Sequence, residues 1–449
     1  MLQKLGRPND KYPFPSSFVT YCGSLFMVDK ASVLNRNNEL ELFLGIALIG
    51  LAIIQSNALL SYGGWAYFGN IPVFLFQTLL IAILYLNRRY LCPEFKTNTY
   101  RFIYYYLIWT TILIFAGFFV ADCYVEYRQL LVGSISLQVP IFVWIFTRPE
   151  VANRVLSIYF KYAWLPFVIF FLPFLGFTQM YIQPILLLLC LAPLFRRKTA
   201  LLIIVIGLLY TTNNIFEDRG QFIKGCVAMV ASLGILFRGR ISSKMVKTAH
   251  VLAYISSIFL LVFIFSDLFS VLVGSSSSSD IFYNNVDRDR RYQDTRSLLY
   301  VDVINSSIDH GYYLIGHTPA RGFEVTYSPE LFMDEDTVLD KGERHKNEMV
   351  LSNIFTWEGL IGLFLYSLIY MRGSYLAVYK SRNKIIPFLG CFVAWRWSWG
   401  WVEDVNNFMI TDIDLWAMIA ICYSSSFRNM RDEDFIRWSR SLLSKKKRC

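Results

Sequence analysis

Two arginines and a histidine, far apart along the chain, have the side chains best suited to chemistry. Arg219 is the only Lys or Arg between Thr211 and Gly220, and it stands where the next apolar stretch begins. A guanidinium keeps its charge at any working pH and offers a planar fork of donors suited to phosphate oxygens. A helix N-terminus beside it adds partial positive charge for an anion. Local pairing with Glu217 or Asp218 is the competing reading. Arg296 opens a predicted amphipathic helix over residues 297–308, with Leu298, Leu299, Val301, Ile304 and Ile308 at helical spacing. His345 lies in a polar stretch, Asp340 to Glu348, just before another apolar run. Imidazole is the side chain best placed to exchange protons near neutral pH; a solvated loop histidine is the plainer reading.

These residues need a scaffold, and composition sets its class. Of 449 residues, 55% are apolar and only 17% charged, far too apolar for a soluble chain of this length. A bilayer core of about 30 Å takes about 20 apolar residues per helix, and backbone groups in lipid must be satisfied internally. The reading is an all-α polytopic membrane protein of about 12 transmembrane helices. The spans fall near 40–60, 71–87, 102–121, 129–147, 155–176, 181–195, 199–212, 221–237, 248–273, 348–371, 385–402 and 408–424.

Charge orients them. Arg88, Arg89, Arg148, Arg154, Arg196, Arg197, Lys198, Arg238, Arg240 and the Lys445–Arg448 tail fall on one side, which the positive-inside rule makes cytoplasmic. Both termini are then cytoplasmic. The long loop, residues 274–347, faces out with three of the four histidines and eight basic residues. The chain thus divides into an N-terminal arm (1–39), nine helices (40–273), the loop, three helices (348–424) and a basic tail (425–449).

Other features narrow the possibilities. The net charge of +10 is explained by loop residues at helix ends, so no nucleic-acid partner is expected. The eight cysteines include no CxxC pair and none lies in the loop, so neither disulfides nor structural metal are expected. The first apolar stretch is short and broken, against a cleaved signal peptide. Ser275–Ser279 reads as a flexible lead into the loop, and the acidic run Asp334–Asp336 as solvated. Glu358, Arg396, Asp412 and Asp414 fall inside predicted spans, where ionisable residues are costly. They read as a structural network clamping the last three helices. Trp395, Trp397, Trp399 and Trp401 read as interfacial belt residues.

Three stretches, together spanning roughly residues 205–370, resemble the bacterial O-antigen polymerase and O-antigen ligase superfamily. Asp218-Arg219-Gly220 is similar to its Ser-Arg-Gly helix start. Thr295-Arg296 with Leu298-Leu299-Tyr300 and Leu314-Ile315-Gly316 resembles a second motif. Asn347-Glu348-Met349-Val350-Leu351 with Glu358-Gly359-Leu360-Ile361-Gly362 resembles the start of the helix after the loop. Two positions depart: Asp218 replaces the serine, and Lys346 takes the place of a histidine, with His345 one residue earlier. The resemblance implies a GT-C-like bundle in the bacterial inner membrane, with short helices in a periplasmic loop. It implies a polymerase that transfers a glycan from a polyprenyl-pyrophosphate carrier to a sugar hydroxyl of another lipid-linked unit, without a cofactor or a metal. Arg219, Arg296 and Arg321 would hold pyrophosphate; His345, His317 or Glu348 would be the base. The implied partners are an undecaprenyl-pyrophosphate-linked oligosaccharide, membrane lipid and a chain-length regulator protein. A ligase with another acceptor, or a transporter of lipid-linked sugars, stays open.

Overall fold

The computed structural model describes residues 37–53, 66–166, 184–212, 219–264, 296–326, 342–404 and 406–444. The arm before residue 37, the serine run, the acidic run 334–336, Asp218 and the last five residues lie outside them. The described chain is almost entirely helical. Helix α1 covers 37–53; α2 is Ala66–Leu91, α3 Arg101–Val120, α4 Tyr124–Leu137, α5 Pro149–Tyr162, α6 Ile185–Cys190, α7 Arg197–Thr212, α8 Arg219–Leu236 and α9 Ser243–Ile264. The loop contributes α10, Arg296–Asp309, and strands β1 (Phe323–Glu324) and β2 (Glu343–Arg344). Then come α11 (Val350–Lys380), α12 (Ile386–Trp399), α13 (Ile410–Tyr423) and α14 (Asp432–Ser441).

Among the described residues, four helices are long and apolar enough to cross a membrane: α3, α4 with its continuation to Phe146, α9 and α11. Their outward faces are greasy. Phe115 and Phe119 on α3 and Ile258 and Phe259 on α9 are all more than half exposed. Such apolar stripes suit hydrocarbon and are a liability in water. The chain is therefore an all-α, membrane-embedded protein. Helix α13 is its axis: every residue except Thr411 is buried, and α11, α12, α6 and the segment Val143–Phe146 surround it.

Two predicted spans take other forms. The described part of 181–195, residues 184–195, forms the six-residue α6, with Pro184 at its N-cap, and a 3-10 turn in which Pro193 ends the helix. The described part of 155–176 belongs to α5, whose Glu150, Asn153, Arg154, Ser157 and Lys161 make one side polar. That helix packs on the C-terminal α14, with the Trp438 indole donating to Pro149 O (2.9 Å).

Helix lengths decide where the site lies. Tyr100, just before α3, stacks on Tyr423 at the end of α13, so the two helices share a level at the end of the bundle nearest the chain's C-terminus. From there α3 runs 20 residues and α13 only 14. At 1.5 Å per residue, α13 stops about 9 Å short of the far end of α3. The turn 400–409 that joins α12 to α13 is thus sunk within the bundle, and the loop descends to meet it.

Candidate functional site

The loop docks on the bundle at a break in α11. Gly359 sits at φ 65°, ψ −166°, a conformation essentially confined to glycine. The break leaves backbone groups unpaired, and the loop takes them. His317 N donates to Thr356 O (2.7 Å) and Thr318 N to Trp357 O (3.1 Å); Leu360 N donates to Tyr313 O (2.9 Å) and Ile361 N to Leu314 O (3.2 Å). Gly316, at φ 94°, faces the break from the loop side. A Cβ on Gly359 would collide with the Leu314 carbonyl, and one on Gly316 with the backbone of Trp357 and Glu358.

The loop's two halves are zipped beside this contact. Phe323 pairs with Arg344 and Glu324 with Glu343 in the antiparallel β1–β2 ladder. Arg321 grips Glu343 with Nε (2.9 Å) and Nη2, and Gly322 N donates to the same carboxylate (3.0 Å). Burial pushes the Glu343 carboxyl up, and the Arg321 fork with the Gly322 N–H outweighs it, leaving the group below its ordinary value. Arg321, assigned from sequence to pyrophosphate, is therefore committed to holding the loop together, with Glu126 of α4 also near it (3.8 Å).

His345 is enclosed rather than poised at a surface. It is 3% exposed, its Nε2 donates to Pro319 O (2.9 Å), and its ring lies on Trp357 (4.9 Å). Trp357 Nε1 donates back to His345 O (3.1 Å). Burial pushes the imidazole down from 6.5 to about 4, so it is neutral near pH 7. His317 is partly exposed, stacks on Tyr312 (4.4 Å) and donates Nδ1–H to Gly322 O (2.9 Å). Its Nε2 is then the lone-pair nitrogen. Glu348 is largely exposed, 4.0 Å from Arg344. Asn347, beside His345, is a backbone clamp that exchanges bonds with Asn353, Ser352 and Met349 N.

His345 makes loop docking acid-sensitive. Its folded pKa lies below the unfolded one, so its contribution to stability is complete above about pH 6.5 and is lost as pH falls toward 4. The loss amounts to about 3 kcal/mol. Thermal unfolding of the purified chain at pH 7 and pH 4.5 should show it. In His345→Gln, which keeps a donor for Pro319 O, the acid-dependent drop should shrink. Equal drops in both proteins would rule out His345 as the titrating group.

The turn 400–409 is where the remaining elements meet. Lys224, in the second turn of α8, reaches Glu403 Oε1 (2.5 Å). Trp399 Nε1 donates to Glu403 Oε2 (2.6 Å), which makes this tryptophan an anchor rather than a belt residue. Tyr300 of α10 donates its hydroxyl to Trp401 O. Lys346 pairs with Asp404 (2.5 Å). The first N–H groups of α11 are capped by the same turn, Val350 N to Glu403 O (3.2 Å) and Leu351 N to Gly400 O (3.3 Å). Thus the start of α8 with Arg219, the helix opened by Arg296 and the end of the loop all converge on one sunken turn. The side chain of Arg219 lies outside the described atoms; its backbone opens α8, about 7 Å along the axis from Lys224.

The four ionisable residues of the predicted last three spans split into two groups. Glu358 accepts from Thr110 Oγ1 (2.6 Å), and its carbonyl accepts from Trp109 Nε1 (3.2 Å), so it ties α11 to α3. Arg396, Asp412 and Asp414 instead gather between α12 and α13. Asp412 accepts from Asn407 N (2.9 Å). The sequence reading missed Lys224 and Glu403. Lys224 had a signal, being the only charged residue between Gly220 and Leu236; Glu403 had none. Comparison with protein-family models, curated proteins and solved structures finds no match to this chain.

Proposed function

We propose that this protein is a metal-independent glycosyltransferase of the O-antigen polymerase type, moving a glycan from a polyprenyl-pyrophosphate carrier to a sugar hydroxyl. One observation carries the reading: α8 and α10, the helices opened by Arg219 and Arg296, reach the turn between α12 and α13 through Lys224 and Tyr300, beside the loop's end at Lys346. In this proposal the membrane domain is polytopic, the loop is periplasmic and both termini are cytoplasmic. Pyrophosphate is already a good leaving group, so the protein mainly supplies positive charge where negative charge develops. Arg219 and Arg296 have that role. Arg321 keeps its structural tie to Glu343.

The base that takes the acceptor proton is His317 in preference to His345. His317 is the more exposed, with Nδ1 holding a proton against Gly322 O and Nε2 left to accept one. Glu348, exposed at the loop's end, is the other candidate. Docking of the loop into the break at Gly359 would orient donor and acceptor, a large source of rate.

Purified protein incubated with lipid-linked repeat units should build a ladder of lengthened glycans, with EDTA leaving the ladder intact. Arg219→Ala and Arg296→Ala should each cut product by about 100-fold or more at normal protein levels. His317→Ala should fall more than His345→Gln. A single addition to a core oligosaccharide would move the reading to ligation. Translocation of the carrier without product would replace it with transport.

A further inference from the structure

The loop exposes three large apolar side chains in a row. Tyr313, Leu314 and Ile315 are each about half open, in a segment whose backbone is bonded to α11. Such a run is a liability in water. Where the segment sits decides what covers it. Thr110, halfway along the 20 residues of α3, donates its hydroxyl to Glu358 (2.6 Å). The break in α11 is therefore about 15 Å from either end of α3. Tyr313 O and Leu314 O accept from Leu360 N and Ile361 N, just past that break. The segment then climbs toward the Val120 end. A Cβ on Gly117, in the last turn of α3, would lie 3.6 Å from Thr318 Oγ1, and one on Gly133 of α4 would lie 2.8 Å from Pro319 Cβ. From Thr110 to Gly117 the rise is about 10 Å. Helix α3 is itself long and apolar enough to cross a membrane, and its length matches a hydrocarbon core of about 30 Å. The segment thus lies within the depth that α3 spans, not beyond its end.

The neighbouring surfaces agree. Leu360 and Phe364 continue the apolar surface along α11, and Ile112 and Phe115 stand at the same depth on α3, all about half exposed or more. Toward the Val120 end the character changes. His310 and His317 lie side by side (6.4 Å), and exposed Tyr124 and Tyr127 open α4, as aromatic residues do where a membrane meets water. Irregular backbone is tolerated at membrane depth where protein takes up its polar groups. Here α11 pairs with one backbone group each of Tyr313, Leu314, His317 and Thr318, and Gly316 N donates to Tyr312 O (2.7 Å).

We infer that residues 312–318 are a re-entrant segment that enters the bilayer from the loop side, with Tyr313, Leu314 and Ile315 facing phospholipid acyl chains. Lipid then holds the loop down together with α11. The inference needs only a membrane-embedded chain and stands apart from glycosyl transfer. Full-length protein with benzoylphenylalanine in place of Leu314 would be reconstituted in phosphatidylethanolamine–phosphatidylglycerol vesicles, irradiated and digested for mass spectrometry. The labelled peptide should gain the mass of one phospholipid. The same probe at Phe115 of α3 should gain it too, and the probe at His310 should not. Hydrogen exchange in the same vesicles gives a second reading at the amides of His317 and Thr318, which report docking through their bonds to α11. Leu314→Asp should speed their exchange by about 100-fold, the effect of carrying a charge into hydrocarbon. Leu314→Met should leave it unchanged.

The proposal is overturned if residue 314 yields no more lipid adduct than residue 310 while residue 115 is labelled, or if it cross-links to protein instead. It is equally overturned if Leu314→Asp exchanges like the wild type, which is how a solvent-exposed position responds. A lipid adduct at residue 314 in protein that builds no glycan ladder would keep the re-entrant segment and remove the transferase reading.

Discussion

Replacing Gly359 by alanine will release the loop from the bundle and, under the proposed function, abolish glycan lengthening. The native backbone there is nearly closed to any residue with a Cβ, at a cost of about 1–3 kcal/mol. The added methyl also meets the Leu314 carbonyl, so the segment Tyr313–Thr318 must withdraw. With it go four interelement backbone bonds, each worth about 1 kcal/mol. The summed loss of about 5 kcal/mol is comparable to the net stability of a typical domain. Its effect is local, because the membrane helices keep their own ladders. Hydrogen exchange should show residues 312–323 losing protection while α3 and α13 keep theirs. Gly316→Ala should give the same pattern from the opposite side. Full protection of 312–323 in Gly359→Ala would mean that the break does not seat the loop.

Lys224→Met should destabilise the bundle by about 1–3 kcal/mol, the penalty for leaving a partly buried carboxylate without its charged partner. Lys224 is 1% exposed, and its ammonium is the closest positive charge to Glu403. Without it, Glu403 keeps only the Trp399 indole and an Arg396 too distant for a hydrogen bond. The double variant Lys224→Met/Glu403→Gln should return most of the loss, since no uncompensated carboxylate remains. Unfolding temperatures of the single and double variants in one detergent test this. If the double variant is no more stable than Lys224→Met, the pair is not what holds α8 to the turn.

What could be read from the sequence follows from how each signal is written. The apolar runs that became α3, α9 and α11 were plain because transfer to hydrocarbon adds up residue by residue. The amphipathic α10 was legible from its periodicity, and Glu358, Arg396, Asp412 and Asp414 stood out as costly charges in apolar surroundings. Their partners were not. Glu358 pairs with Thr110, 248 residues away, and nothing in its neighbourhood names that threonine. Lys224 and Glu403 lie 179 residues apart. The prolines flanking α6 were visible, but that they end a helix inside the core is a matter of packing.

His345 makes the same point. Its polar sequence neighbourhood describes a surface residue, whereas the fold seats the loop on the bundle and covers the ring with Trp357 and Pro319. By itself, the order of amino acids determined that this chain lives in a bilayer as helices, and which of its charges would be costly there. Tertiary structure alone decided that α13 stops short, that α11 breaks at Gly359, and which distant groups meet at the turn before α13. The reason is that burial of apolar surface is a sum over local stretches. The pairing of polar groups away from water depends instead on which distant segments arrive at the same place.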